Sequence, residues 1–197
     1  MIRHILVAAL TVTACTQQDS DAKLATANIA RGDSLPIHAD LTLFQSELPR
    51  QAHDLGTHAA ASRDALFDQF VRAVEDSNAA VLRSLRLDVA EFAYLYYPPS
   101  RYTRAPYELP PATLWLLIEQ NGLKGEARVL QHYGGRSLNV NGYRCEDEPR
   151  TEGPNRLWEH CLLERADDTG QRFQERLFGS ILERDGKFKF VSIANRL

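Results

Sequence analysis

The sequence predicts an α+β domain, helices first and then a run of antiparallel strands. Three observations carry this reading. Between Arg63 and Glu75 the apolar residues Leu66, Phe67, Phe70, Val71 and Val74 recur at offsets of one, three and four, which lines one face of a helix. After Gly135 the apolar residues alternate, as they do along strands. Asp167-Asp168-Thr169-Gly170 and Arg184-Asp185-Gly186 punctuate that run with turn residues, the second with the Asp-Gly that favours tight hairpins. Helices followed by consecutive strands place the helices against one face of an antiparallel sheet.

Each element follows from local chemistry. Ser62 suits the N-cap of a helix over residues 63–75. Asp76-Ser77-Asn78 breaks that helix and caps a second from Ala79 to Leu85. Asp88 opens a third through Val89, Phe92 and Leu95, and Pro98-Pro99 ends it by Tyr97. Tyr94 to Pro111 interleaves Tyr94, Tyr96, Tyr97, Tyr102 and Tyr107 with prolines. Prolines stiffen such a segment, and tyrosine offers a large contact area with a polar tip. A further helix begins at Ala112 or Thr113 and carries Leu114, Trp115, Leu117 and Ile118. It is expected to break at Asn121-Gly122, resume over Gly125 to Tyr133, and stop at Gly134-Gly135. Strands are expected at Leu138–Cys145, Leu157–Ala166, Arg172–Glu183 and Lys187–Ala194. Joined in order they make a four-stranded antiparallel meander, with the polar stretch Glu146–Arg156 projecting between the first two.

The N-terminus reads as an export signal. Met1-Ile2-Arg3-His4 is short and basic, and Ile5-Leu6-Val7-Ala8-Ala9-Leu10-Thr11-Val12 is apolar but too short to span a bilayer. Val12-Thr13-Ala14-Cys15 resembles the lipobox of bacterial lipoproteins. That resemblance implies cleavage before Cys15, acylation of its thiol and anchorage in a lipid bilayer through Cys15. It divides the 197 residues into a signal peptide (1–14), a lipidated N-terminus and tether (15–39) and a single α+β domain (40–197). Thr16 after the cysteine, rather than aspartate, points to the outer membrane, facing the periplasm.

Composition narrows the function. The formal net charge is −3, with Lys and Arg at 23 against Asp and Glu at 26. A nucleic-acid partner is not expected, since that would call for a basic patch or stripe. Cys145 and Cys161 are the only cysteines besides Cys15, and two cysteines left over in an exported domain most simply pair. A zinc site would want four ligands at close spacing, and no Cys-x-x-Cys unit exists. His53 and His58 are five apart, whereas helical metal ligands want three or four. No metal and no cofactor is expected.

The helix Arg63–Glu75, the segment Phe92–Pro98 and the closing hairpin Leu177–Asn195 follow one another in an order that resembles the cone-shaped superfamily of nuclear transport factor two, ketosteroid isomerase and the polyketide cyclases. The resemblance covers Ser62 to Leu197 and carries no diagnostic motif; the long insert between Asp76 and Gly135 departs from it, and a cystatin-like helix on a sheet is the neighbouring alternative. It implies a pocket between a curved sheet and the helices, lined by aromatics and one or two ionisable groups. Tyr97, Tyr102, Tyr107, Trp115 and Trp158 are the binding candidates, and His160, Glu175 and His132 the candidate general bases. If a strand runs through His160, its side chain shares a face with Trp158, Leu162 and Glu164, while Cys161 points away. Glu175 alternates with Phe173 and Leu177, so an inward turn would demand a partner for its charge.

Three functions remain open from the sequence. The first is a non-enzymatic binding or accessory lipoprotein that takes an apolar small molecule or an envelope protein on its aromatic face. The second is an isomerase, hydratase or lyase with His160 or Glu175 as base. The third is a structural or assembly factor at the outer membrane.

Overall fold

The computed structural model describes residues 37–167 and 169–194, which pack as one unit. The signal, Cys15 and residues 16–36 of the expected tether lie outside the described residues, as do Asp168 and Asn195–Leu197. The helices are α1 (Ile37–Ser46), α2 (Arg63–Glu75), α3 (Ala79–Ser84), α4 (Val89–Glu91) and α5 (Pro111–Tyr133), with a π turn at Phe92–Tyr96 and a 3-10 turn at Arg101–Thr103. The strands are β1 (Val140–Arg144), β2 (Arg150–Glu152), β3 (Asn155–Trp158), β4 (Leu162–Ala166), β5 (Arg172–Glu175), β6 (Ile181–Arg184) and β7 (Lys187–Phe190). The protein is α+β, with two antiparallel sheets ordered β1-β4-β5 and β2-β3-β6-β7.

The helix caps follow from the residues at the ends. Ser62 accepts from the Ala65 amide, and Asn78 from the Val81 amide. Asp88 accepts from the Ala90 and Glu91 amides while Glu91 returns a bond to the Asp88 amide, a capping box. The chain then widens into the π turn, in which the Tyr97 amide donates to the Phe92 carbonyl.

Several expectations are corrected. Residues 37–39, expected in the tether, belong to α1, whose Leu41 and Phe44 pack against the second core. α5 runs through Asn121-Gly122 without a break. A Cβ at Gly122 would collide with the Arg86 guanidinium, and one at Gly125 with the carbonyls of Ile193 and Ala194. These glycines admit close neighbours rather than end the helix. The stretch 146–156 does not project as a loop: β2 lies within it and pairs with β3, turning at Gly153 with φ +57°. The expected strand 172–183 is divided between β5 and β6, in different sheets.

Helices do not cover one sheet face only. Alternation along the four-stranded sheet sends Trp158, Ile181 and Phe190 to one side, and Leu157, Leu182 and Val191 to the other. The first core packs under α2 with Phe67, Phe70 and Phe178, and the second under α4, the π turn and α5 with Phe92, Tyr97 and Leu114. The strand pair breaks where Cys145 and Cys161 meet, with sulfurs 2.00 Å apart in a disulfide. His160 takes a left-handed backbone there (φ +51°), which separates β3 from β4.

Candidate functional site

The proline-stiffened segment after the π turn is built as a rigid platform. Tyr97 OH donates to the Leu109 carbonyl at 2.8 Å, and the Leu109 amide donates to the Tyr102 carbonyl at 2.9 Å. Ser100 caps the 3-10 turn through the Tyr102 amide, and Thr103 bonds back to the Ser100 carbonyl. The Arg101 amide donates to Glu152 of β2 at 3.0 Å. Arg150 bonds the same Glu152 and holds Glu159 with two hydrogen bonds of 2.8 and 3.0 Å. A Cβ at Gly153 would strike Pro99, so the β2–β3 turn seats directly under the segment.

On this platform Tyr102 and Tyr107 meet edge to face at 5.3 Å, with the Arg101 guanidinium 5.2 and 5.7 Å from their ring centres. Tyr107 is 47% exposed. Tyr107 thus faces solvent on a cross-braced backbone, while Tyr102 and Arg101 are half-buried beneath it.

The other candidates are not brought to this place. Tyr97 is fully buried in the second core, and burial pushes its phenol up to about 12. It is a packing residue with a satisfied hydroxyl, turned away from the exposed face of Tyr107. Trp115 packs at a tilt on Phe92, with ring centres 5.2 Å apart, and walls a cleft of about 280 Å³ with Arg86, Asp88, Glu119, Lys189 and His58. Trp158 donates to Glu183 at 2.9 Å beneath the Arg63 and Arg156 guanidinium groups. It lines a separate cleft of about 320 Å³ with Arg63, Tyr143 and Glu146. Between α2 and the sheets, where the superfamily resemblance implies a pocket, the rings of Phe67, Phe70, Tyr143, Phe178 and Phe190 fill the space.

The candidate bases also diverge. His160 does not share a strand face with Trp158; it is exposed, with Nδ1 2.6 Å from Glu146 Oε1. His132 is exposed near the end of α5. Glu175 does turn toward the helices, and it has its partners: Arg165 Nε at 2.9 Å and Tyr133 OH at 2.9 and 3.0 Å. None of the three lines the clefts named above. Among the described residues no three His, Cys, Asp or Glu side chains converge to hold a metal ion, and no helix is long and apolar enough to cross a membrane.

Sequence reasoning missed the buried ion pairs. Lys189 places Nζ 2.9 Å from both oxygens of the fully buried Glu91. Arg86, 2% exposed, bonds Glu119 at 2.9 Å and Glu126 at 2.5 Å. The signal available was Lys189 between Phe188 and Phe190, which alternation turns away from the phenylalanine face into the second core. No family model matches the chain, and no curated protein or solved structure matches it significantly.

Proposed function

We propose that this chain is a lipid-anchored protein of the bacterial cell envelope that works by binding, without catalysis, through the face of Arg101, Tyr102 and Tyr107. The observation that carries the reading is exposed Tyr107 set edge to face on half-buried Tyr102 in a cross-braced segment. Tyrosine and arginine dominate binding hot spots, and pre-ordering lowers the entropy lost on contact. The partner is an envelope protein or an apolar small molecule. Anchorage at Cys15 is supported by Val12-Thr13-Ala14-Cys15 and export by the Cys145–Cys161 disulfide, a bond favoured in oxidising compartments. Thr16 supports the outer membrane as the address. Antiparallel strands that pair in chain order within each sheet, with helices packed on them, support a filled variant of the cone-like fold of the nuclear transport factor two and ketosteroid isomerase type.

Two measurements test this. Intact-mass analysis of detergent-extracted protein is expected to show loss of residues 1–14 and acyl mass on Cys15, with Cys15→Ser abolishing membrane retention. A chain retaining residues 1–14, or carrying no acyl mass, overturns the anchor. In cells, a photo-crosslinking side chain at position 107 is expected to give a discrete adduct that Arg101→Ala and Tyr102→Ala weaken at least tenfold. Equal adducts from position 107 and from Gln174, on the three-stranded sheet, would reject the face.

A further inference from the structure

The longest helix among the described residues, α5, turns a leucine-rich face to solvent. Leu116, Leu117 and Leu123 are 55%, 48% and 39% exposed. Burying large apolar surface is favourable, and a contiguous exposed apolar patch marks an interaction site. The ionisable groups beside these leucines on exposed positions of α5 are Lys124, Arg128 and His132. Both carboxylates of the helix are directed to arginines from the preceding segments: Glu126 is buried against Arg86 and Arg83, and Glu119 pairs with Arg86. Glu126 is thereby buried, and the partly exposed Glu119 has its charge met by Arg86.

We propose that this face of α5 rests on an anionic phospholipid surface, so that the folded domain lies on the bilayer to which Cys15 ties it. The inference builds on the anchored-lipoprotein reading. Leucines with flanking lysine and arginine are the composition of helices that lie in a membrane interface, and anionic headgroups attract basic residues within a Debye length. An acidic protein would match the charge but leave the leucines needing a complementary groove, whereas a bilayer offers charge and hydrocarbon together. The chain supplies the proximity. α1, the first described helix, packs beside α5 and exposes Leu43 (54%). The 22 residues from Cys15 to Pro36 extend at most about 3.5 Å each, so α1 stays within about 80 Å of the anchor.

The test uses the chain from residue 15 onward with Cys15→Ser, which keeps both hydrophobic cores and removes the lipid. Its binding to vesicles of phosphatidylethanolamine and phosphatidylglycerol is compared with binding to phosphatidylcholine alone, by co-sedimentation. Binding to the anionic vesicles is expected to be at least tenfold tighter. Lys124→Glu with Arg128→Glu is expected to lower it at least tenfold, since each basic residue near such a surface contributes about fivefold. Leu116→Gln with Leu123→Gln is expected to lower it on both vesicle types, and an environment-sensitive dye at Gln120→Cys to shift to the blue on binding. Binding unaffected by either double variant, no binding to anionic vesicles, or a dimer that Leu116→Gln with Leu123→Gln dissociates would each overturn the proposal. The Cys15 mass measurement is independent of all three outcomes, so failure of the anchor and failure of this face are distinguishable.

Discussion

Glu91 concentrates more bonding than any surface acid needs. It accepts two hydrogen bonds from Lys189, one from the Gly56 amide at 2.7 Å and one from the Asp88 amide, which uses its four acceptor positions. The Asp88–Glu91 half of this arrangement is legible in sequence, because a capping box spans three residues. The Lys189 half is not, since the partner is 98 residues away. Removing one member of such a pair leaves the other charged and desolvated. Lys189→Met is therefore expected to lower the free energy of unfolding by about 3–5 kcal/mol, measured by urea titration. A change below about 1 kcal/mol would mean that water reaches Glu91. By contrast, Lys187 holds the carboxyl of Asp54 below its ordinary range across an exposed contact, where solvent screens the interaction.

At the scale of elements, the disulfide sits where the strands change sheet. Cys145 follows β1 and Cys161 precedes β4, and the Glu146 amide still donates to the Glu159 carbonyl at 3.1 Å. The link therefore fixes the corner at which one strand pair becomes two. It closes a sequence separation of 16 residues, and a loop of that length contributes about 3 kcal/mol by restricting the unfolded chain. Reduction is expected to lower the thermal midpoint by several degrees, with Cys161→Ser reproducing the effect. Equal midpoints with and without reductant would show that packing alone holds the corner. Pairing was readable from cysteine count and expected export, but the strand break was not. It requires His160 to leave the extended region, and β-strand alternation through Trp158, His160 and Leu162 contains no sign of that.

For the whole molecule, an ion pair between the strands and the buried phenols limit pH stability from the two sides. Arg150, hydrogen-bonding Glu159 twice, holds that carboxyl below its ordinary value. Its stabilisation is complete above that value and is lost as pH falls through the lowered one. On the alkaline side, burial pushes Tyr97 from 10.0 up to about 12, and it raises Tyr96 and Tyr143 as well, with the Asp64 carboxylate adding to the shift of Tyr143. A phenol whose folded pKa is raised contributes stability fully present below the unfolded value and lost as pH rises through the folded one. Stability is therefore expected to fall between pH 10 and about 12, followed by denaturation at stepped pH with tyrosinate absorbance as the readout. Tyrosinate appearing at its ordinary pH for every tyrosine, with the fold intact, would contradict the buried placement of Tyr97.

What the sequence alone determined is what residues a few positions apart decide. The stripe from Leu66 to Val74, the caps at Ser62, Asn78 and Asp88, the stop at Gly134 and the Asp185-Gly186 turn all match the structure, because each depends on local hydrogen bonds and side-chain period. Tertiary packing alone decided that Gly122 and Gly125 sit inside α5, that both faces of the four-stranded sheet are buried, and that Tyr97 is core while Tyr107 is surface. The aromatic candidates share a composition, yet their separation into core, cleft and exposed platform depends on contacts with residues far along the chain. No local pattern encodes which face of a strand or helix finds such a neighbour, because that choice is made by the burial of all the surfaces together.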